Sequence, residues 1–120
     1  MAALQQAEGG ALTGAEVSMR FGLTAAILRR CRMEHRIVYW RIAKHGYFYP
    51  RWQLTETGAL LPGIPEILQL FRSQDQWRIV RYFLGPRQQL EGRRPLDLLR
   101  AGQADRALVH ARRHADEDTW

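Results

Sequence analysis

Cysteine occurs once, at Cys31, which excludes an internal disulfide and a four-cysteine zinc site and leaves nothing that asks for an oxidising compartment. No stretch approaches the roughly 18–20 consecutive apolar residues of a membrane span. The opening MAALQQAEGG has neither a basic start nor an apolar signal core. The expectation is a cytoplasmic protein with no membrane partner. Also missing are the glycine-rich phosphate loops, the G-x-S-x-G nucleophile turn and the H-E-x-x-H zinc motif. The chain therefore reads as a binding protein, not an enzyme, with no cofactor. At 120 residues it is too short for a barrel of roughly 250 residues or a two-domain dinucleotide enzyme.

Lysine is scarce as well: Lys44 stands alone among 18 basic residues. Arginine carries the rest, and its planar fork suits bidentate phosphate and guanine contacts, although a GC-rich coding sequence produces the same bias for no structural reason. What is present is the balance of an ordinary globular chain, 46% hydrophobic and 25% charged. The net charge of +6 is unevenly spread: residues 20–51 hold seven arginines and Lys44 against Glu34 alone. A concentrated excess of this kind points to a polyanionic partner.

Residues 1–12 are small and polar and read as a disordered tail. Thr13-Gly14-Ala15-Glu16 has the spacing of a capping box, opening a helix to about Phe21. Gly22 is placed to end it, and Thr24 to cap a second helix over residues 25–35. At 100° per residue, Ile27, Leu28, Cys31 and His35 fall on one side of that helix and Ala25, Ala26, Arg29, Arg30 and Met33 on the other. Small residues followed by arginines make a face able to enter a major groove. The same face also suits a solvated helix whose arginines only confer solubility.

The next segment tips that balance. Residues 37–42 and 47–49 are rich in β-branched and aromatic residues, with a turn at Ala43-Lys44-His45-Gly46 and a stop at Pro50. Helix, helix, hairpin is the order of a winged helix-turn-helix over residues 13–53. Its DNA-binding candidates are Ala25, Ala26, Arg29, Arg30, Arg36, Arg41, Lys44 and His45, with Trp40, Tyr47 and Tyr49 read as core. A two-fold operator and a homodimer are expected from this architecture.

Residues 54–114 carry helical signals only, so the fold class is mainly α: a small winged helix-turn-helix followed by a compact bundle of short helices. Pro65 introduces a helix burying Ile64, Ile67, Leu68 and Phe71. Residues 76–84 place Trp77, Val80 and Leu84 on one stripe. Pro95 starts a short helix closed by Gly102, and Ala104, Ala107, Leu108 and Ala111 line the last. Cys31/His35 and His110/His114 have metal-ligand spacing on a helix, but neither pair brings a third ligand, and no metal site is expected.

Trp77, Phe83-Leu84 and the run Leu90-Glu91-Gly92-Arg93-Arg94-Pro95-Leu96-Asp97-Leu98-Leu99-Arg100-Ala101-Gly102 resemble the toxin-binding domain of the Xre/MbcA/ParS-type antitoxins, with its L-x-G-x-x-P-x-x-L-L-x-x-G motif. The resemblance covers residues 75–111. The first half resembles the short winged helix-turn-helix fused to this domain in some bacterial members and departs from the longer Xre repressor domain. The resemblance implies an antitoxin that occludes a RES-type, NAD-degrading toxin and represses its own operon. The alternative is a stand-alone regulator whose helical lobe only dimerises. Residues 115–120 form an acidic tail. Against the electropositive pocket of such a toxin, Asp116, Glu117, Asp118 and Trp120 become candidate toxin contacts, the other reading being a frayed end that aids solubility.

Overall fold

The computed structural model of the chain describes residues 2–117. It is mainly helical with one small three-stranded antiparallel sheet, an arrangement compatible with a winged-helix-like fold. The elements run α1 (Ala2–Gln6), β1 (Ala11–Thr13), α2 (Gly14–Phe21), α3 (Ala25–Met33), β2 (Trp40–Ile42), β3 (Gly46–Pro50), α4 (Ile64–Leu70), α5 (Gln76–Leu84), α6 (Pro95–Arg100) and α7 (Ala104–Ala115). Short 3-10 turns lie at Ala7–Gly9, Arg51–Gln53 and Gln88–Leu90.

Local signals set the helix ends. The Thr13 hydroxyl accepts the Glu16 N–H at 3.1 Å while the Glu16 carboxylate accepts the Thr13 N–H at 3.0 Å, so two amides at the start of α2 are satisfied reciprocally. Gly22 ends the helix with φ 72°, a conformation that costs glycine little. The Thr24 hydroxyl then accepts the Ile27 N–H and opens α3. Further on, Asp75 caps α5 through the Trp77 and Arg78 amides.

β3 is the central strand, with β1 on one side and β2 on the other. Its alternating side chains separate two apolar clusters. Tyr49, opposite Leu12 of β1, joins Val17, Leu28 and Ile37 beneath α2 and α3. Phe48, opposite Trp40 of β2, faces the larger cluster, built from Trp52, Ile64, Ile67, Phe71, Val80, Phe83, Leu96, Leu99 and Ala107 among others. The sheet is thus buried on both faces. The larger cluster runs across the boundary expected near residue 53, because Val38, Trp40 and Trp52 belong to it. Gln53 secures that crossing: fully buried, its amide accepts the Val38 N–H at 2.7 Å and donates to the Val38 carbonyl at 2.7 Å.

The opening residues differ most from the sequence reading, which made 1–12 a disordered tail. They form a strap: Leu4 packs on the large cluster, Leu12 is buried in β1, and the Glu8 carboxylate pairs with Arg94 at 2.6 Å and Arg100 at 3.3 Å. Partners more than 80 residues away in sequence supply the order that small polar residues do not supply locally. Hydrogen bonding from Arg94, and then from Arg100, holds the Glu8 carboxyl below its ordinary range against the opposing effect of burial. A carboxylate so depressed contributes stability that is complete above its unfolded value of about 4.3 and lost as pH falls through the lower folded value. Glu8→Gln is therefore expected to cost about 1 kcal/mol or less at neutral pH, a difference that shrinks toward pH about 3. Paired urea unfolding curves check this, and an equal cost at both pH values would rule out the ionised pair as its source.

Candidate nucleic-acid interface

α3 presents Ala25, Ala26, Arg29, Arg30 and Met33 to solvent, as its periodicity predicts. Two expectations for its other side fail. Ile27 is 45% exposed, because the buried arc is centred on Leu28 and Arg32 and leaves Ile27 at its margin. His35 lies beyond the helix, which stops at Met33, and takes φ 54°, so the Cys31/His35 pair does not share a helical face.

Arg32 is half-buried by specific partners. Its guanidinium lies over the Tyr47 ring, 3.8 Å from the centroid, and donates to the Tyr49 hydroxyl. Burial raises the Tyr49 pKa while the Arg32 hydrogen bond opposes the shift. The phenol therefore stays protonated and accepts from the guanidinium. Arg41 of β2 stands on the same ring at 5.8 Å. Tyr47 is thus the link between α3 and the hairpin, and it is 37% exposed, more open than a core residue. Sequence periodicity does contain this signal: Tyr47 and Tyr49 are two apart on one strand and face the same side, toward α3.

A concave surface joins these elements. Ala25, Arg29, Arg32 and Tyr47 line one hollow together with Gly14 and Ser18 of α2. Arg29 is shared with a second, formed by Ala26, Arg30, Met33 and Glu34 along the exposed side of α3. Glu34 pairs with Arg30 at 3.1 Å. Among the described residues Arg29 has no ion pair, which leaves it the free cation of this face. Lys44 and His45 stand exposed at the β2–β3 turn, where Lys44 takes φ 72°. Arg36 is exposed just past α3, and among the described residues no hydrogen bond or ion pair joins its side chain to the other candidates.

Two glutamines fix this surface relative to the helical half. Gln69 of α4 donates to the Glu34 and His35 carbonyls at 2.7 and 3.0 Å, holding the end of α3. Gln76 of α5 accepts the Arg41 N–H at 3.0 Å, holding β2.

In the helical half, the Leu90–Gly102 run folds around buried Leu90, Leu96, Leu98 and Leu99. Its leucines point inward and are not available to a partner. Tyr82, next to exposed Arg81 in the sequence and not expected in the core, is buried with its hydroxyl 2.8 Å from His110 Nδ1. His110 and His114 stack at 6.1 Å, and no group of three metal-ligating side chains occurs among the described residues. Asp116 and Glu117 are exposed beyond α7, whereas Asp118 and Trp120 lie outside the described residues. No described helix is long and apolar enough to cross a membrane.

No family model matches the chain, and no curated protein matches it. Among solved structures, the NMR structure of Rv2175c is similar over 92% of this chain and 84% of that chain, with a TM-score of 0.75 and 21% sequence identity. The likeness extends over both halves and establishes the fold.

Proposed function

We propose that this chain is a double-stranded-DNA-binding regulator in which α2, the Gly22 corner and α3 form a helix-turn-helix and β2–β3 its wing. The observation that carries the reading is the exposed α3 face, where two alanines permit close approach and Arg29 stands unpaired beside the Arg32–Tyr47–Arg41 stack. Alanine methyls meet thymine methyls, an unpaired arginine reaches guanine O6 and N7, and wing cations neutralise phosphates. One such unit reads a half-site, so the acting form is a homodimer on a two-fold operator.

Arg29 and Lys44 separate base reading from charge neutralisation. Arg29→Ala should cost about 1–3 kcal/mol on the operator and little on unrelated duplexes. Lys44→Ala should weaken every sequence alike and flatten the salt slope by about 1. Fluorescence anisotropy across a salt series measures both. Absence of binding at low salt for every duplex drawn from its own promoter would remove the proposal.

The resemblance of residues 75–111 extends the reading to an antitoxin whose helical half occludes a RES-type toxin in the cytoplasm without catalysis of its own. In support, the motif glycines fall where the backbone turns left-handed, Gly92 at φ 81° and Gly102 at φ 76°. Since its leucines are buried, the toxin contacts belong to the exposed surface, Asp116 and Glu117 included. A RES-like frame beside the gene, and a complex with its product, are the outcomes that separate this reading from a stand-alone regulator.

A further inference from the structure

Of the half-buried arginines among the described residues, Arg93 and Arg94 have carboxylate partners while Arg32, Arg51 and Arg87 do not, and Arg87 is the one with a buried nitrogen left without a hydrogen bond. Arg94 holds Asp97 at 2.7 Å and Glu8 at 2.6 Å, and Arg93 lies 3.7 Å from Glu91. Even the more exposed Arg100 and Arg106 pair with Glu8 and Glu91. Arg87 has no acidic partner among the described residues. Its Nη2 donates to the Tyr82 carbonyl at 3.2 Å, its guanidinium carbon lies 5.0 Å from the Tyr82 ring centroid, and its buried Nε has no hydrogen-bond partner. Taking a cation out of water without a counter-charge is costly, and an orphaned donor adds to that cost.

The surroundings complete a site. Arg87 sits between two adjoining hollows of about 350 and 190 Å³. The larger has Arg78 and Arg81 on its rim and Leu4 and Leu84 on its walls; the smaller is bounded by His110, Arg113 and Glu117. Of these cations, among the described residues, only Arg78 has an ion pair, with Asp75 at 3.3 Å. Glu117, the one acid in either lining, makes no ion pair with Arg87. We propose that Arg87 is the centre of a binding site for a small amphiphilic oxyanion, whose phosphate or carboxylate head meets the guanidinium and whose apolar body lies against Leu4 and Leu84. Arginine's fork suits either head group. The site uses no residue of α3 or the wing and does not rest on the DNA-binding reading.

Burial first, and then the Arg87 charge, hold the His110 and His114 pKa values below the ordinary histidine range, with Glu117 acting the other way on both. An anion placed on Arg87 cancels part of that charge, so occupancy must raise the titration midpoints of both imidazoles. The test is an NMR titration of the full chain with phenyl phosphate and, separately, with benzoate, each against sodium chloride of equal ionic strength. The expected result is a saturable shift of the Arg87 Nε–H and of the two histidine rings, with their midpoints raised. Saturation by one probe identifies the head group. Arg87→Gln should weaken binding about 10- to 100-fold. Arg113→Gln, an exposed position on the rim, should weaken it less and keeps the test valid if loss of the Tyr82 contact impairs folding. Shifts that fail to saturate with both probes, or that follow ionic strength alone, overturn the proposal, as does affinity unchanged in both variants.

Discussion

Gln53→Leu is expected to lower the unfolding free energy by about 2–6 kcal/mol. Leucine fills a similar volume, so the loss is polar in origin. The Val38 N–H and carbonyl, both served by the Gln53 amide at 2.7 Å, would each be left buried without a partner, at about 1–3 kcal/mol apiece. A domain of this kind has only about 5–15 kcal/mol in hand, so the variant should approach its unfolding threshold at physiological temperature. Urea unfolding followed by tryptophan fluorescence measures it. A reduced midpoint with unchanged slope is the expected pattern, and a loss under about 1 kcal/mol would mean that the Val38 amide finds another partner.

Gly58→Ala should cost about 2–5 kcal/mol, from left-handed strain of about 1–2 and overpacking of about 1–3. Gly58 takes φ 87°, and an added Cβ would stand 2.5 to 2.6 Å from Cγ, Cβ and Cδ1 of Phe21. These are the inner atoms of the ring and stem, which cannot swing aside as a side-chain tip does. Gly22 gives the control: its φ is 72° with nothing within 4 Å of the same added atom, so Gly22→Ala should show the backbone strain alone. Phe21→Ala combined with Gly58→Ala should recover in a double-mutant cycle the part of the difference owed to the ring, since alanine keeps the Cβ that stands 2.6 Å away. Equal losses for the two glycine variants would remove the steric account.

The elements that the sequence makes legible are those with local causes. Thr13, Glu16, Gly22 and Thr24 mark helix ends within one turn of themselves, and Asp75, Pro95 and Gly102 do the same in the second half. β1 was not legible: Ala11-Leu12-Thr13 is too short to display alternation, and its partner strand lies more than 30 residues on. The glutamines escaped notice for a related reason. Gln53, Gln69 and Gln76 have no periodic signature, yet each satisfies backbone groups of a distant segment. On α3 the face was right for Ala25, Ala26, Arg29 and Arg30 and wrong for Ile27, since a helical wheel counts Arg32 as polar while Tyr47 and Tyr49 give its guanidinium an inward place.

Burial of the sheet on both faces also has a consequence for synthesis. The Tyr49 face is covered by α2 and α3, which leave the ribosome before β3 does. The Phe48 and Trp40 face must wait for α4 to α7, and Glu8 waits 86 residues for Arg94. At about 5–20 residues per second that interval is roughly 4–17 seconds, far longer than a helix or hairpin needs to form. The nascent chain therefore passes through a stage with one side of a finished sheet uncovered and aromatic, a surface on which chaperone capture and chain-to-chain association compete with the arrival of its own last helices.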